Sequence, residues 1–349
     1  MQNRNTKKKG LLAVVLAAGL AFSVVTATAP SASAATKITK IGVAFDLGGR
    51  DIPGFNQLAY FGARDYVKTH KGVKIQELQA ALSDTDATRE ERLRLLATSG
   101  SNPIIAVGFT YASSLKIVAA EFPDVKFGIV DDSTVVLPNV QGIVFAEQEG
   151  SFLVGAAAAL KSKTGNVGFI GGVQTPLIQK FEAGYAAGAK SVNKKIKVQV
   201  SYLSVFPDFS GFNDPAKGEE AARGMFDNGA DVVYSAAGGS GAGAHKAALA
   251  MKKWSIGVDA DEWAFPSNKA YKSVILTSML KKVDVGVLAF INSIDKGTFK
   301  SGSVTFNLKN GGIGYSTSGG RVSSYKKKMD TLIAGIVKGK IKVPSKPAM

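Results

Sequence analysis

ITKIGVAF at residues 38–45, DLGGRDIPG at 46–54 and FNQLAYFGARDYVKT at 55–69 read in turn as a strand, a tight turn and a helix. The first piece is rich in β-branched residues, the second is broken by glycines and Pro53, and the third has room for four turns. The same unit recurs along the chain. Strands are expected at 73–78, 103–107, 126–130 and 140–145, with helices at 86–99 and 111–121 between them. The alternation then starts afresh. Helices at 151–160, 176–192, 217–228 and 242–252 flank strands at 166–171, 198–203, 232–235 and 255–258. A strand at 273–278, a helix at 283–295, a glycine-rich stretch at 310–314 and a basic amphipathic helix at 323–338 complete the pattern. Strand–helix alternation of this kind means parallel sheets with helices on both faces, so the fold class is α/β with two similar lobes.

The first residues read differently. Arg4 and Lys7–Lys9 precede an apolar stretch from Leu11 to about Val25, and Ala32-Ser33-Ala34 closes the segment. That order is an export signal cleaved after Ala34. Its apolar run falls short of the roughly 20 residues that span a bilayer. The remaining chain, 35–349, is long enough for two cores, and 45% hydrophobic content can fill them. The sequence holds no cysteine, which excludes disulfides, thiolate metal sites, a cysteine nucleophile and a lipid-bearing cysteine.

The formal charge is +16, of which Arg4, Lys7, Lys8 and Lys9 supply four. The remaining lysines are scattered, apart from Lys326–Lys328 and the tail Lys338, Lys340, Lys342 and Lys346. This is a solvated basic surface suited to an anionic envelope, not a nucleic-acid site.

Ligands of α/β sheets sit beyond the carboxyl ends of strands, so polar and aromatic residues there are the candidates. Asp46, Phe55 and Asn56 follow the first strand, where a capped turn explains them as well as a ligand does. Asp131 and Asp132 follow the strand ending at Val130, and a turn cap suits both. FPDFSGFND at 206–214 places three phenylalanines in seven residues, an arrangement that invites a flat ligand. Gly238 and Gly239 lie in a loop that matches neither G-x-G-x-x-G nor G-K-[ST]; they let a ligand approach backbone or a helix pack closely. Asp259 and Lys281 each follow a strand and together make a carboxylate–ammonium clamp for a diol, or a surface ion pair of little worth. Of the two histidines, His70 and His245, neither stands in a catalytic or metal-binding pattern. No catalytic residue, metal or cofactor is expected, and the chain reads as a binding protein.

DLGGRDIPGFN (46–56), FPDVKFGIVDD (122–132), NVQGIVFAEQEGSFLVGAAAALKSKTGNVGFIGG (139–172), FEAGYAAGAK (181–190), IGVDADEW (256–263) and LTSMLKKVD (276–284) resemble the basic membrane protein family of substrate-binding lipoproteins. That group includes purine nucleoside receptors of ABC importers. The similarity spans about residues 39–320, and the block 139–172 is its most specific part. It implies a type I periplasmic-binding-protein fold, two Rossmann-like lobes joined by a three-strand hinge, with lobe 1 at 37–142 and 282–300 and lobe 2 at 143–281 and 301–349. It implies a monomer that binds a nucleoside, purines first, and hands it to a permease. It assigns Asp46 and Asn56 to the base edge and Phe55 and Phe212 to stacking. Asp131, Gly238 or Gly239, Asp259 and Lys281 are assigned to the sugar or the cleft wall. Residues 48–56 depart from the family's GGxNDxSFN: Asp51, Ile52 and Gly54 replace Asn, Asp and Ser, which leaves open a sugar or a modified base as ligand.

Overall fold

The computed structural model describes residues 37–348 apart from positions 48, 52 and 82; the expected signal segment lies outside them. The first sheet contains β1 (Lys40–Ala44), β2 (Lys74–Leu78), β3 (Ile104–Ala106), β4 (Phe127–Val130) and β5 (Val140–Phe145). Helices α1 (Phe55–Thr69), α2 (Asp86–Thr98) and α3 (Ala112–Glu121) connect them. The second sheet is built from β6 (Asn166–Gln174), β7 (Lys197–Val205), β8 (Val232–Ala236), β9 (Trp254–Gly257) and β10 (Ile275–Lys281). Its helices are α4 (Glu147–Lys161), α5 (Pro176–Val192), α6 (Pro215–Asp227) and α7 (Gly241–Ala250). After α8 (Val283–Asp295) come β11 (Gly302–Phe306), β12 (Ile313–Tyr315) and α9 (Lys326–Val337).

The strand orders are β11-β5-β4-β3-β1-β2 and β12-β10-β9-β8-β6-β7. All pairings are parallel except β12 against β10. Each sheet is covered on both faces. Along β1, Ile41, Val43 and Phe45 pack with Tyr66 and Phe290, while Ala44 turns to Leu93, Leu96 and Leu115. This alternation, apolar on both sides, is what a doubly covered parallel sheet requires.

Two short strands escape the sequence reading. In β11 the central residues Ser303–Thr305 are exposed, so no apolar run marks it. β12 begins inside the glycine-rich stretch. Their places also correct the lobe boundaries. The whole of β5 pairs with β4, and β11 pairs with β5, so the first sheet keeps residues through 145 and takes back 302–306. The chain crosses between sheets at β5–α4, β10–α8 and β11–β12. Strand pairing, which outlasts the apolar pattern at a sheet edge, sets these limits.

Helices α4 and α5 meet backbone to backbone. A Cβ on Gly188 would stand 1.9 Å from the Phe152 carbonyl oxygen, one on Gly155 2.1 Å from that of Tyr185, and one on Gly184 2.2 Å from that of Gln148. A methyl group there must push the helices apart. Gly188→Ala is therefore expected to cost about 1–3 kcal/mol, whereas Gly224→Ala, in α6 with nothing within 4 Å of the new methyl, gains about 0.5–1 kcal/mol. Urea unfolding midpoints check both, and equal effects of the two substitutions would contradict the packing.

Candidate functional site

The carboxyl ends of both sheets face one cleft with about 890 Å³ of atom-free space, its open mouth included. All nine residues singled out from the sequence line it: Asp46, Phe55, Asn56, Asp131, Phe212, Gly238, Gly239, Asp259 and Lys281. They come from loops after β1, β4, β7, β8 and β9, the start of α1 and the last residue of β10.

Lys281 is 2% exposed, and its ammonium lies 2.5 Å from Asp131 Oδ2 and 3.3 Å from Glu147 Oε1. The rings of Phe55, Phe145 and Phe181 stand 5.1, 5.2 and 5.5 Å from it. Glu147 is wholly buried and also takes the ammonium of Lys180 at 3.2 Å. The carboxylates hold the Lys281 ammonium above its ordinary range, against the opposing effect of burial. The direct ion-pair partners of Lys281 are thus Asp131 and Glu147, and Asp259 lines the same cleft without pairing to it among the described residues. Asp259 joins through its backbone, its carbonyl accepting from the Lys281 N–H at 2.8 Å.

Asp131 and Asp259 both adopt left-handed backbone conformations, φ 68° and 64°, which turn their side chains off the strand ends into the cleft. Burial pushes Asp131 up to about 6, with Lys281 opposing and Glu147 reinforcing. Its Oδ1 is buried without a hydrogen-bond partner among the described residues. Burial pushes Asp259 up to about 7; Lys281 lowers it, and Asp131, Glu262 and Glu147 raise it. The neighbouring Asp132 behaves as a cap, accepting from the N–H groups of Thr134 at 2.8 Å and Val135 at 3.2 Å.

At the other end of the cleft, Asp46 Oδ1 accepts from the Leu47 N–H at 2.8 Å and the Thr110 hydroxyl at 2.9 Å, which leaves Oδ2 beside Gly108. Burial raises its affinity for a proton. Asn56 departs from its expected role. Its amide donates to the carbonyls of Asp46 at 3.3 Å and Leu47 at 3.1 Å, and its oxygen accepts from the Asp46 N–H. Both amide hydrogens are spent on the loop backbone, so Asn56 shapes the loop that carries Asp46. Phe55 and Phe212 are half-buried, packed on opposite lobes' cores with a face left to the cleft. Of the two competitors to Phe212, Phe206 is 63% exposed, and Phe209 packs edge-on against Phe109 with centroids 5.9 Å apart.

Sequence reasoning missed Glu147, Phe109, Thr110 and Phe181. Glu147 obeys the same strand-end rule that selected Asp46 and Asp131, two residues past Phe145, and lies inside the block 139–172. Phe181, one turn into α5, opens the block 181–190 but does not follow a strand end.

Residues 38–346 match the family described as ABC transporter substrate-binding protein PnrA-like. The chain belongs to this family. Such proteins bind a small molecule and deliver it to a membrane permease; they are not enzymes. The chain is 34% identical over 325 residues to a CD4+ T-cell-stimulating antigen of Listeria monocytogenes, covering 88% of each chain. It is 33% identical over 320 residues to the ABC transporter nucleoside-binding protein BmpA of Lactococcus lactis, covering 88% of this chain and 89% of that one. Among solved structures, an ABC transporter solute-binding protein of Aeropyrum pernix matches with a TM-score of 0.74 and 28% identity, over 88% of this chain and 94% of that one. The type I periplasmic-binding-protein fold of this PnrA-like chain agrees with its strand orders. No helix among its described residues is long and apolar enough to cross a membrane.

The raised carboxyl of Asp259 has a thermodynamic consequence. Between the ordinary carboxylate range and about pH 7 the folded protein keeps a proton there that the unfolded chain has lost. Stability therefore falls as pH rises through that window, and the cost is complete above it. Asp259→Asn is expected to raise the unfolding temperature of the ligand-free protein at pH 8, with the gain gone at pH 4. A gain of the same size at both values would contradict the assignment.

Proposed function

We propose that this protein is an exported receptor that takes up a nucleoside, purines first, between its lobes and presents it to an ABC permease. The observation that carries this reading is one cleft lined by half-buried phenylalanines from both lobes and by a carboxylate oxygen, Asp131 Oδ1, without a donor among the described residues, beside a buried ammonium. Rings of this kind stack on any base. Asp46, whose donors among the described residues both go to Oδ1, suits a ring N–H at the base edge through Oδ2. Asp131 Oδ1 and Asp259 are acceptors at the other end, where sugar hydroxyls are donors, and Lys281 supplies a donor. Charge-assisted hydrogen bonds of this sort contribute about 1.5–3 kcal/mol each. The nucleoside-binding relative of Lactococcus supports the same ligand class. The protein acts as a monomer at the outer face of the cell membrane or in the envelope, where its basic surface is attracted to anionic polymers. Lobe closure around the ligand shifts a population toward the form the permease reads.

Titration calorimetry with inosine, guanosine, adenosine and cytidine, beside a panel of free sugars, tests the reading. Saturable binding of a nucleoside is expected; binding of sugars alone would replace this ligand class by another on the same scaffold. Phe55→Ala removes a stacking surface worth about 1–3 kcal/mol, so affinity should drop roughly ten- to a hundredfold with the fold intact. Asp259→Ala should weaken binding comparably. In the unaltered protein affinity should decline below about pH 7, where Asp259 takes up the proton that its acceptor role must shed. Unchanged affinity in both variants would remove these residues from the site.

A further inference from the structure

His245 is wholly buried on α7, and no ligand in the cleft can touch it. Its Nε2 lies 2.6 Å from Glu262 Oε2, and its Nδ1 lies 2.8 Å from the Ser255 hydroxyl. A carboxylate oxygen can only accept, so Nε2 carries the hydrogen of the first contact. The other oxygen of Glu262, Oε1, accepts from the Val258 N–H at 2.7 Å, immediately before Asp259. The Glu262 N–H is in turn held by the Ser278 hydroxyl of β10 at 3.1 Å, and its carbonyl by the Asn268 amide at 3.1 Å. One carboxylate therefore ties α7 to the loop after β9.

The two tied segments are both walls of the cleft. The turn 238–240 that opens α7 carries Gly238 and Gly239, and the loop after β9 carries Asp259. Asp259 is held at φ 64°, a conformation an L-residue keeps only when its surroundings fix it. Gly257 is compatible with this arrangement because a Cβ there would stand 2.6 Å from the Glu262 carboxyl carbon.

We propose that His245 and Glu262 form a buried positioning pair that fixes the loops 236–240 and 258–261 against each other and so aims Asp259 at the ligand. The proposal rests on the reading of Asp259 as a ligand contact, but its first test needs no ligand. The charged groups acting on Asp259 are Lys281 from β10, Asp131 from the loop after β4, Glu147 from α4 and Glu262 itself.

Amide hydrogen exchange over 258–261 and carbon-13 carboxyl titration of Asp259 are measured on the ligand-free protein, unaltered and as His245→Ala and Glu262→Gln. His245→Ala should speed exchange over 258–261 tenfold or more while α1 and α8 exchange as before. Glu262→Gln keeps an acceptor for the Val258 N–H but removes the charge, so exchange should stay within about threefold and the Asp259 midpoint should move down. A midpoint unmoved in Glu262→Gln overturns the proposal even if His245→Ala does not fold, as does unchanged exchange in a folded His245→Ala. Nucleoside affinity follows: a tenfold or greater loss is expected in His245→Ala, with near-normal affinity above pH 8 in Glu262→Gln. If exchange and midpoint change as expected but no nucleoside binds the unaltered protein, the ligand reading fails and the positioning pair stands.

Discussion

A single buried ammonium organises the cleft. Lys281 ends the strand that borders β12, where the chain leaves the second sheet for the first, and it draws together a carboxylate from each side: Asp131 from the first lobe and Glu147 from the start of α4. Taking such charges out of water is costly, and removing one partner leaves the others uncompensated. The cation is sheathed by three phenylalanine rings, which exclude water while their faces attract it. The same cluster leaves Asp131 Oδ1 without a donor among the described residues and the Asp259 carboxyl buried beside it. The site is built with a surplus of acceptors, and a ligand rich in hydroxyl donors restores the balance.

The surplus has a sign that the composition conceals. The chain carries a formal charge of +16, yet the cleft is acidic: Asp131, Glu147 and Asp259 act on one lysine, and Asp46 stands at the other end. Among the described residues many surface lysines, including Lys327, Lys328 and Lys338, form no ion pair, so the basic charge lies on the outside. Net charge thus describes the protein's relation to its envelope and is silent on its ligand.

Most of the site was legible because parallel α/β sheets place their working residues by rule. Asp46, Asp131 and Asp259 each stand within two residues of a strand end, and Phe55 opens the following helix. Local reading failed where the outcome depends on what lies across the cleft. Nothing in the run SMLKKVD announces that Lys281 turns toward Asp131, 150 residues earlier. The amide of Asn56 looked free for a ligand, but the carbonyls of its own loop claim it. Phe181 reads as an ordinary core position of α5 until the first lobe is placed opposite. The edge strand β11 escapes local reading because its exposed residues carry no apolar alternation, and β12 because it is three residues long and begins in the glycine-rich stretch; the lobe boundaries move with them.

A co-crystal structure with inosine tests the central claim most directly. The account predicts the base between Phe55 and Phe212, its edge toward Asp46, and the ribose hydroxyls within hydrogen-bond distance of Asp131 Oδ1, Asp259 and the Lys281 ammonium. A ribose turned to solvent, or a base held away from both rings, would contradict it.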